Sequence, residues 1–475
     1  MSQMHTFENM CALMRYLEDR DGNRVVFEYM TGMEVHGISG GAFFDQVRRR
    51  AAVLERKGFS RAHIGIMGRN RWQWLAGLCA VFQAGGVAVL LSPELSAKEI
   101  VAAAAQTDVA CVMYDDELYD ELRSVEIPLI SLDSEPGRDF PTCEYPSAPE
   151  DAACILFTSG TTERPKAAVF SHRAVLAGIC HNVIGIPFES MLAVLPMHHI
   201  AGFASVLNAW YLNRRVCLGT DIKYLYRYLR EMKPDYVLTV PSVLQAIMRK
   251  LTNSGPNGQG NGWNLRLIGC GGAAFPEQSL ARLNAQNIRV LQSYGATEAG
   301  GIGFDWEMTP ACGKSIGKPC AEMEVKIVDG QLFLRSPSVM TGYYGDPEAT
   351  AAVLQDGWYA TGDLSEQDAE GYLYLRGRIR NLIILSNGEN ISPEQVECSL
   401  MEYELAEEIM VGVMQEQITA WIYPKAGVTV RELERAVDHY NFGVPRSRQI
   451  VNLQIMDTPF AKTETGKSIR ASIVR

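Results

Sequence analysis

A hydroxyl-rich segment, 158–166, has the residue types that bind phosphate. It reads Thr-Ser-Gly-Thr-Thr-Glu-Arg-Pro-Lys and follows an apolar run, 153–157, that predicts a buried strand. Short hydroxyl donors, an open glycine backbone and one positive charge come from Thr158, Ser159, Gly160, Thr161, Thr162 and Lys166. The spacing is not that of a Walker A loop. A Ser/Thr-rich surface turn would have the same composition, so the rest of the chain must decide between the two interpretations.

Six further motifs follow this segment along the chain. They are Pro-Met-His-His-Ile-Ala-Gly at 196–202, Gly-Gly-Ala-Ala at 271–274, Tyr-Gly-Ala-Thr-Glu at 294–298, Tyr-Ala-Thr-Gly-Asp at 359–363, Gly-Arg at 377–378 and Thr-Glu-Thr-Gly-Lys at 463–467. In this order they resemble the motifs of the adenylate-forming superfamily of acyl-CoA synthetases, peptide-synthetase adenylation domains and luciferases. The resemblance covers nearly the whole chain. It implies that a carboxylic acid is activated by ATP as an acyl adenylate, with release of pyrophosphate, and is then passed to the thiol of CoA.

The resemblance assigns the ATP phosphates and a magnesium ion to three of these motifs. Attack of a carboxylate on the α-phosphate brings two anions together, so positive charge and a metal must offset their repulsion. The segment 158–166 would hold the β- and γ-phosphates, Glu298 would bind Mg²⁺, and Thr297 would lie beside the α-phosphate. Lys467 would be the catalytic lysine that bridges the carboxylate and the phosphate.

The adenosine part of ATP is assigned to other residues of the same motifs. Tyr294 would place its ring against adenine, Asp363 would accept the ribose hydroxyls, and Arg378 would support the ribose or its phosphate. Gly272 and Gly295 complete the predicted ATP-binding set. Taken alone, an aspartate in Thr-Gly-Asp could be an ordinary turn residue, and an acid such as that at 298 could cap a helix.

The acyl group is expected between the motifs at 196–202 and 271–274. His199 would gate or orient it in a pocket lined by Phe203, Gly271 and Ala273. Peptide-synthetase domains carry an aspartate just after the motif that corresponds to 196–202, and this aspartate binds the substrate ammonium. This chain has Phe-Ala-Ser-Val at 203–206 instead. An acid with an uncharged chain or an aromatic ring is therefore favoured.

Three positions bear on the second half of the reaction and on departures from the family. Gly388 would let the pantetheine arm of the thiol pass. Asn381 stands at the hinge where the family usually has Asp or Lys, and asparagine tolerates unusual backbone angles. Glu163 stands where the family usually has glycine, and its charge would repel phosphate unless it turned outward. The acceptor thiol could be that of CoA or the phosphopantetheine of a carrier protein. A catalytically weak homologue that binds an acyl group or a nucleotide is a further alternative for the whole chain.

The elements that must position these motifs alternate between strand and helix from about residue 40 to residue 300. One unit has an apolar strand at 236–240, a helix opened by Pro241 and a strand at 265–269. This order predicts parallel sheets covered by helices, with ligands at the carboxyl ends of strands. Further along, Asp329-Gly330 between apolar runs predicts a type I′ hairpin and an antiparallel region.

The predicted architecture is α/β with two domains. The large N-terminal domain, 1–380, would contain doubly wound α/β subdomains and an antiparallel β portion. A small mobile α+β C-terminal domain, 381–475, would carry the catalytic lysine. Its expected elements are a helix behind Pro393, two apolar strands, a second helix and a last strand.

Composition limits the classes of partner and the compartment. The net charge of −11 argues against a general nucleic-acid or anionic-membrane binder. The 11 cysteines are scattered singly without a C-x-x-C pair, which favours reduced thiols in a cytoplasmic protein. One apolar run, 74–91, reaches the length at which a membrane span becomes possible, but Gly85-Gly86 interrupts it. We expect a helix followed by a buried strand there, and no membrane span.

Overall fold

The computed structural model describes residues 6–134, 145–158, 165–180, 186–251, 260–271, 277–300, 304–305, 315–320, 322–384, 390–462 and 468–470, with only the backbone of 277–278 and 304–305. The helices are α1 (Met10–Asp21), α2 (Gly40–Arg56), α3 (Trp72–Gln83), α4 (Ala97–Gln106), α5 (Tyr119–Leu122), α6 (His172–Cys180), α7 (Ile200–Tyr211), α8 (Leu225–Glu231), α9 (Pro241–Leu251), α10 (Glu277–Ala285), α11 (Pro347–Val353), α12 (Pro393–Met401) and α13 (Val430–Phe442).

The first half of the chain contributes the strands β1 (Val25–Thr31), β2 (Glu34–Ser39), β3 (His63–Met67), β4 (Val87–Leu91), β5 (Val109–Tyr114), β6 (Leu129–Ser131), β7 (Ala152–Phe157), β8 (Ala167–Ser171), β9 (Ser190–Ala193), β10 (Arg215–Leu218), β11 (Tyr236–Thr239), β12 (Leu267–Gly271) and β13 (Arg289–Ser293). The second half contributes β14 (Phe304–Asp305), β15 (Lys318–Pro319), β16 (Glu324–Val328), β17 (Gln331–Arg335), β18 (Gly342–Tyr343), β19 (Leu354–Gln355), β20 (Trp358–Gln367), β21 (Leu373–Arg378), β22 (Ile383–Ile384), β23 (Asn390–Ile391), β24 (Ala406–Met414), β25 (Gln417–Pro424) and β26 (Asn452–Ile455).

Two seven-stranded sheets form the larger part of the fold. One has the strand order β18-β8-β7-β4-β3-β5-β6 and the other β13-β12-β11-β9-β10-β1-β2. The neighbours are parallel except where β18, β8 and β2 join at the edges. This confirms the predicted doubly wound α/β class.

Helices cover both faces of each sheet. The largest apolar cluster joins α1, α2, α3, α6 and α7 to strands of both sheets, so these helices lie between the sheets. Helices α4 and α5 cover the other face of the first sheet, and α8, α9 and α10 cover the other face of the second. Strand β4 shows why its sequence is continuously apolar: Ala88 and Leu90 belong to one cluster while Val87, Val89 and Leu91 belong to the other.

The elements predicted between residues 236 and 269 agree with the structure to within two residues. The strand expected at 236–240 is β11, and α9 begins at Pro241 as predicted. The strand expected at 265–269 is β12, which starts two residues later, at Leu267. The apolar run 74–91 is divided between α3 and β4, and no helix in the described part of the chain is long and apolar enough to cross a bilayer.

Antiparallel sheet follows the doubly wound region, as predicted. Strands β16 and β17 pair through a turn in which Asp329 and Gly330 have φ of 49° and 78°, the left-handed values that a type I′ turn requires. The five-stranded sheet has the order β16-β17-β20-β19, with β21 on β20. Beyond it, β24, β25 and β26 form a three-stranded sheet that shares a separate apolar cluster with α12 and α13. The domain boundary at 380/381 stays a prediction.

Candidate active site

A cleft of about 2600 Å³ opens at the carboxyl ends of strands from both large sheets. This is where the βαβ order predicts that ligands bind. The predicted site residues on its wall are Thr158, Lys166, His199, Gly271, Tyr294, Gly295, Thr297, Glu298, Asp363, Arg378 and Asn381. Outside the described residues lie Ser159, Gly160, Thr161, Thr162, Glu163, Gly272, Ala273, Gly388 and Lys467, whose roles stay predictions.

The two ends of the phosphate-binding candidate lie together. Strands β7 and β8 pair antiparallel up to Phe157 and Ala167, and the Thr158 N–H donates to the Lys166 carbonyl at 2.9 Å. Thr158 is buried, whereas Lys166 is half-buried on the cleft wall. The segment 158–166 therefore leaves from and returns to one point at the edge of the cleft.

A buried carboxylate organises the part of the cleft that was predicted to bind adenosine. The Tyr294 hydroxyl donates to Asp363 Oδ2 at 2.7 Å, and Arg378 Nε lies 2.8 Å from Oδ1. Burial, with the Asp363 charge second, raises the pKa of Tyr294 well above its ordinary value, so its hydroxyl keeps the proton that it donates. Each carboxylate oxygen has a further lone pair. Asp363 can therefore accept two more donors, such as the neighbouring hydroxyls of a ribose.

Glu298 is presented by a short turn, Thr297–Ala299, that follows β13. The turn is fixed to a neighbouring loop, because the Met340 N–H donates to the Glu298 carbonyl at 2.9 Å and Ser338 Oγ donates to the Ala299 carbonyl at 2.9 Å. Gly300 ends the turn with a φ of 70°, and a Cβ there would lie 1.8 Å from the Ser338 carbonyl oxygen. No residue with a side chain fits that position without displacing the turn.

Tyr343 contacts two of the predicted residues and was missed by the sequence reasoning. Its hydroxyl donates to Glu298 Oε1 at 2.8 Å, and Lys166 Nζ lies 4.9 Å from the centroid of its ring. Burial, with the Glu298 charge second, raises the pKa of Tyr343. The only signal in the sequence is Gly-Tyr-Tyr at 342–344, which is equally typical of core packing.

The two histidines line the cleft where α7 begins. His199 precedes the first turn of α7, and its ring centroid is 4.2 Å from that of His198. Ile200 and Ala201 line the cleft beside them. Phe203 lies in the large apolar core with 1% of its surface exposed and does not reach the cleft wall, so its part in an acyl pocket stays a prediction.

Asn381, the predicted hinge residue, is tied to α12. Its Nδ2 donates to Glu394 Oε1 at 2.6 Å, and Arg470 Nη2 lies 3.4 Å from the same oxygen. Arg470 also pairs with Glu397 at 2.7 Å. Sequence reasoning missed Glu394 and Arg470, because ion pairs between segments far apart in the chain leave no local pattern.

Two further ion pairs join the helices of the second large sheet to the start of β24. Arg249 on α9 lies 3.0 Å from Glu407, and Arg282 on α10 pairs with Glu404. Both arginines are more than half exposed, at 59% and 64% of the side chain. Each pair therefore contributes little by itself, about 1 kcal/mol or less.

Glu298 is a suitable ligand for a magnesium ion that arrives with a nucleotide. Mg²⁺ takes hard oxygen ligands and is commonly held by one or two carboxylates together with phosphate oxygens and waters. The hydrogen bond from Tyr343 uses one lone pair of Oε1 and leaves the carboxylate with further acceptor capacity. The described residues contain no group of three or more His, Cys, Asp or Glu that would bind a metal without such a ligand.

Comparisons with known proteins give a consistent result. The family model described as AMP-binding enzyme matches residues 17–344, and the model of the AMP-binding enzyme C-terminal domain matches residues 380–475. A 2-succinylbenzoate–CoA ligase of Bacillus cereus is 27% identical over 457 residues, which cover 90% of each chain.

Solved structures share the fold. An O-succinylbenzoate coenzyme A synthetase from Bacillus subtilis, in complex with ATP and a magnesium ion, has a TM-score of 0.82 and 23% identity over 97% of this chain and 98% of its own. An anthranilate CoA ligase in complex with anthranoyl-AMP has a TM-score of 0.87 and 19% identity over 98% of this chain and 96% of its own.

Proposed function

Because the chain belongs to the AMP-binding enzyme family, we propose that it is an ATP-dependent acid–CoA ligase that forms an acyl adenylate. The observation that carries this proposal is the convergence of three groups on one cleft. They are the two ends of the phosphate segment, the Glu298 carboxylate, and the buried Tyr294–Asp363–Arg378 set.

The first half-reaction joins two anions. A carboxylate oxygen of the acid forms a bond to the α-phosphorus of ATP, the bond from that phosphorus to the β-phosphate breaks, and pyrophosphate leaves with the electron pair. Lys166 supplies positive charge beside the segment 158–166, and Lys467 would bridge the two reacting anions. Asp363 and Arg378 would orient the ribose, and Glu298 would hold a magnesium ion that neutralises phosphate charge.

The second half-reaction needs a different set of groups in the same cleft. The thiolate sulfur of CoA forms a bond to the carbonyl carbon of the adenylate, and the bond from that carbon to AMP breaks. We assign this step to a second orientation of a C-terminal domain, 381–475, that pivots at Asn381, with Gly388 beside the pantetheine arm. Since ATP and CoA are both cytoplasmic metabolites, we place the enzyme in the cytoplasm.

For the acid we propose a benzoic acid with a substituent next to the carboxyl group. The support is that the named relatives act on 2-succinylbenzoate and anthranilate. Phe203 at the start of the 203–206 stretch, where peptide synthetases have an aspartate, also disfavours an amino acid. Gly271 and His199, which both line the cleft, would border the acyl group.

Hydroxamate formation and ATP–pyrophosphate exchange across a panel of acids test the proposal. The panel contains 2-succinylbenzoate, anthranilate, benzoate, hexanoate and phenylalanine. We expect exchange with a substituted benzoate, abolished in Lys467→Ala and unchanged in Lys98→Ala, a matched control on the exposed face of α4. ATP binding without turnover of any acid would instead identify a catalytically weak homologue.

The acceptor is identified separately. Preformed adenylate is mixed with CoA or with a holo-carrier protein, and the thioester is measured directly. A thioester formed with CoA supports the ligase, whereas a thioester formed only with the carrier protein would make the chain an acyl-AMP ligase for carrier loading.

A further inference from the structure

Tyr343 is placed beside the phosphate segment by β-sheet pairing. It lies on β18, which adds an edge strand to β8 with Tyr343 opposite Ala168. The next residue along, Tyr344, donates its N–H to the Ala167 carbonyl at 2.8 Å. Since β8 begins immediately after Lys166, the position of Tyr343 is fixed relative to the end of the segment 158–166.

The backbone and ring of Tyr343 have little freedom. Its N–H donates to Thr350 Oγ1 at 2.9 Å, which ties β18 to α11, and the residue is 8% exposed. A tyrosine side chain has only two rotatable torsions, so fixing the ring also fixes the direction of its hydroxyl oxygen. The hydroxyl therefore reaches a defined point in the cleft.

One side chain joins two groups that would meet MgATP. The hydroxyl donates to Glu298 Oε1 at 2.8 Å, while the Lys166 ammonium lies 4.9 Å from the ring centroid, within the range of a cation–π interaction. Glu298 and Lys166 come from different segments, after β13 and before β8. Tyr343 therefore contacts one group from each of these two segments.

We propose that Tyr343 is a positioning residue that orients the Glu298 carboxylate toward the metal and the Lys166 ammonium toward the phosphates of MgATP. This inference rests on the proposed function only in taking MgATP as the ligand. Hydrogen bonds from neighbouring groups that orient a metal ligand typically change metal affinity by about 10- to 100-fold when they are lost.

Two substitutions separate the two contacts. Tyr343→Phe keeps the ring against Lys166 and removes the donor to Glu298, whereas Tyr343→Leu removes both. The matched control is Tyr344→Phe, because the Tyr344 hydroxyl also donates to a carboxylate, Asp108 Oδ2 at 2.6 Å, at an exposed place outside the cleft.

The primary measurement is binding of Mn²⁺ to the protein with ATP present, followed by electron paramagnetic resonance in the full-length chain. We expect Tyr343→Phe to raise the half-saturating Mn²⁺ concentration about tenfold, and Tyr344→Phe to leave it unchanged. Binding of metal-free ATP should be weakened in Tyr343→Leu but not in Tyr343→Phe. A half-saturating concentration does not depend on how much of the protein is folded, so partial loss of stability does not imitate this result.

The outcomes distinguish the inference from the proposed function. Unchanged Mn²⁺ binding in Tyr343→Phe would overturn the positioning role whether or not any acid is activated. A tenfold change in Tyr343→Phe, in a protein that activates no acid, would support the positioning role and refute the ligase. Equal effects of Tyr343→Phe and Tyr344→Phe would show a general structural response and would also overturn the inference.

Discussion

Replacement of Asp363 by alanine separates the contribution of this carboxylate to stability from its contribution to nucleotide binding. The Tyr294 hydroxyl is buried and donates to Asp363 Oδ2 at 2.7 Å, so Asp363→Ala leaves a buried donor without this acceptor. Such a loss costs about 1–3 kcal/mol of stability. The ion pair with Arg378 adds little, because the arginine side chain is 38% exposed.

Nucleotide binding should suffer more. If Asp363 accepts both ribose hydroxyls, alanine removes two hydrogen bonds to a charged acceptor, each worth about 1.5–3 kcal/mol. A loss of about 3 kcal/mol corresponds to a roughly hundredfold higher KM for ATP. The double variant Tyr294→Phe/Asp363→Ala removes this donor as well, so it should regain most of the stability while its KM for ATP stays high.

The assays are urea unfolding, compared by the midpoint, and ATP–pyrophosphate exchange at varied ATP. Each variant is compared with the unmodified protein by its midpoint and not by an extrapolated free energy, because multidomain chains do not generally unfold in one two-state step. A double variant whose KM for ATP returned toward the value of the unmodified protein would refute the ribose assignment. A midpoint that did not recover in the double variant would refute the assignment of the stability loss to the Tyr294 hydroxyl.

Three other predictions concern the turn, the core and the interdomain contacts. Gly300→Ala should shift the turn that carries Glu298 and cost more than about 1 kcal/mol, since a Cβ would lie 1.8 Å from a carbonyl oxygen at a φ of 70°; an unchanged Mg²⁺ dependence of pyrophosphate exchange would contradict this. Burial lowers the pKa of His172 to about 4. Between about pH 6.5 and pH 4 the unfolded chain therefore binds a proton at His172 that the folded chain does not, and stability falls as the pH falls. His172→Gln should make the unfolding midpoint less dependent on pH over that window. An unaltered pH dependence of the midpoint would contradict this prediction. Arg249→Glu should change the ratio of the adenylation rate to the thioester-forming rate by a few-fold, and adding Glu407→Arg to that variant should restore the ratio. If the double variant did not restore it, this ion pair would be excluded as the cause.

Sequence reasoning was effective where a local pattern carries the physics. The buried strand β4 is a continuous apolar run because both of its faces are covered. The hairpin at Asp329-Gly330 was predicted because only a few residue types accept left-handed backbone angles. The motif residues Tyr294, Glu298 and Asp363 were predicted to serve one ligand, and they do line one cleft.

The remaining features depend on contacts between distant segments. Tyr343 and Glu298 are separated by 45 positions, and Asn381 and Arg470 both meet Glu394 from segments on either side of α12. Nothing in the local sequence distinguishes a tyrosine that packs in a core from one that donates to a carboxylate on the cleft wall. Phe203 directly follows the histidine motif, and its place on α7 puts it in the apolar core, so its part in an acyl pocket stays a prediction.

The partners of the two carboxylates explain how they can have different roles in one cleft. A phenol that donates a hydrogen bond orients a carboxylate without bringing a positive charge to it, and Tyr343 is such a donor to Glu298. Asp363 also receives a phenol hydrogen bond, but Arg378 lies 2.8 Å from its other oxygen and offsets much of that charge. A partly neutralised acceptor suits the neutral hydroxyls of a ribose and repels the neighbouring phosphates less. The partners of the two carboxylates therefore support the proposed roles, with Glu298 for the metal and Asp363 for the ribose, since the carboxylate that is paired directly with an arginine is the one proposed to face the sugar.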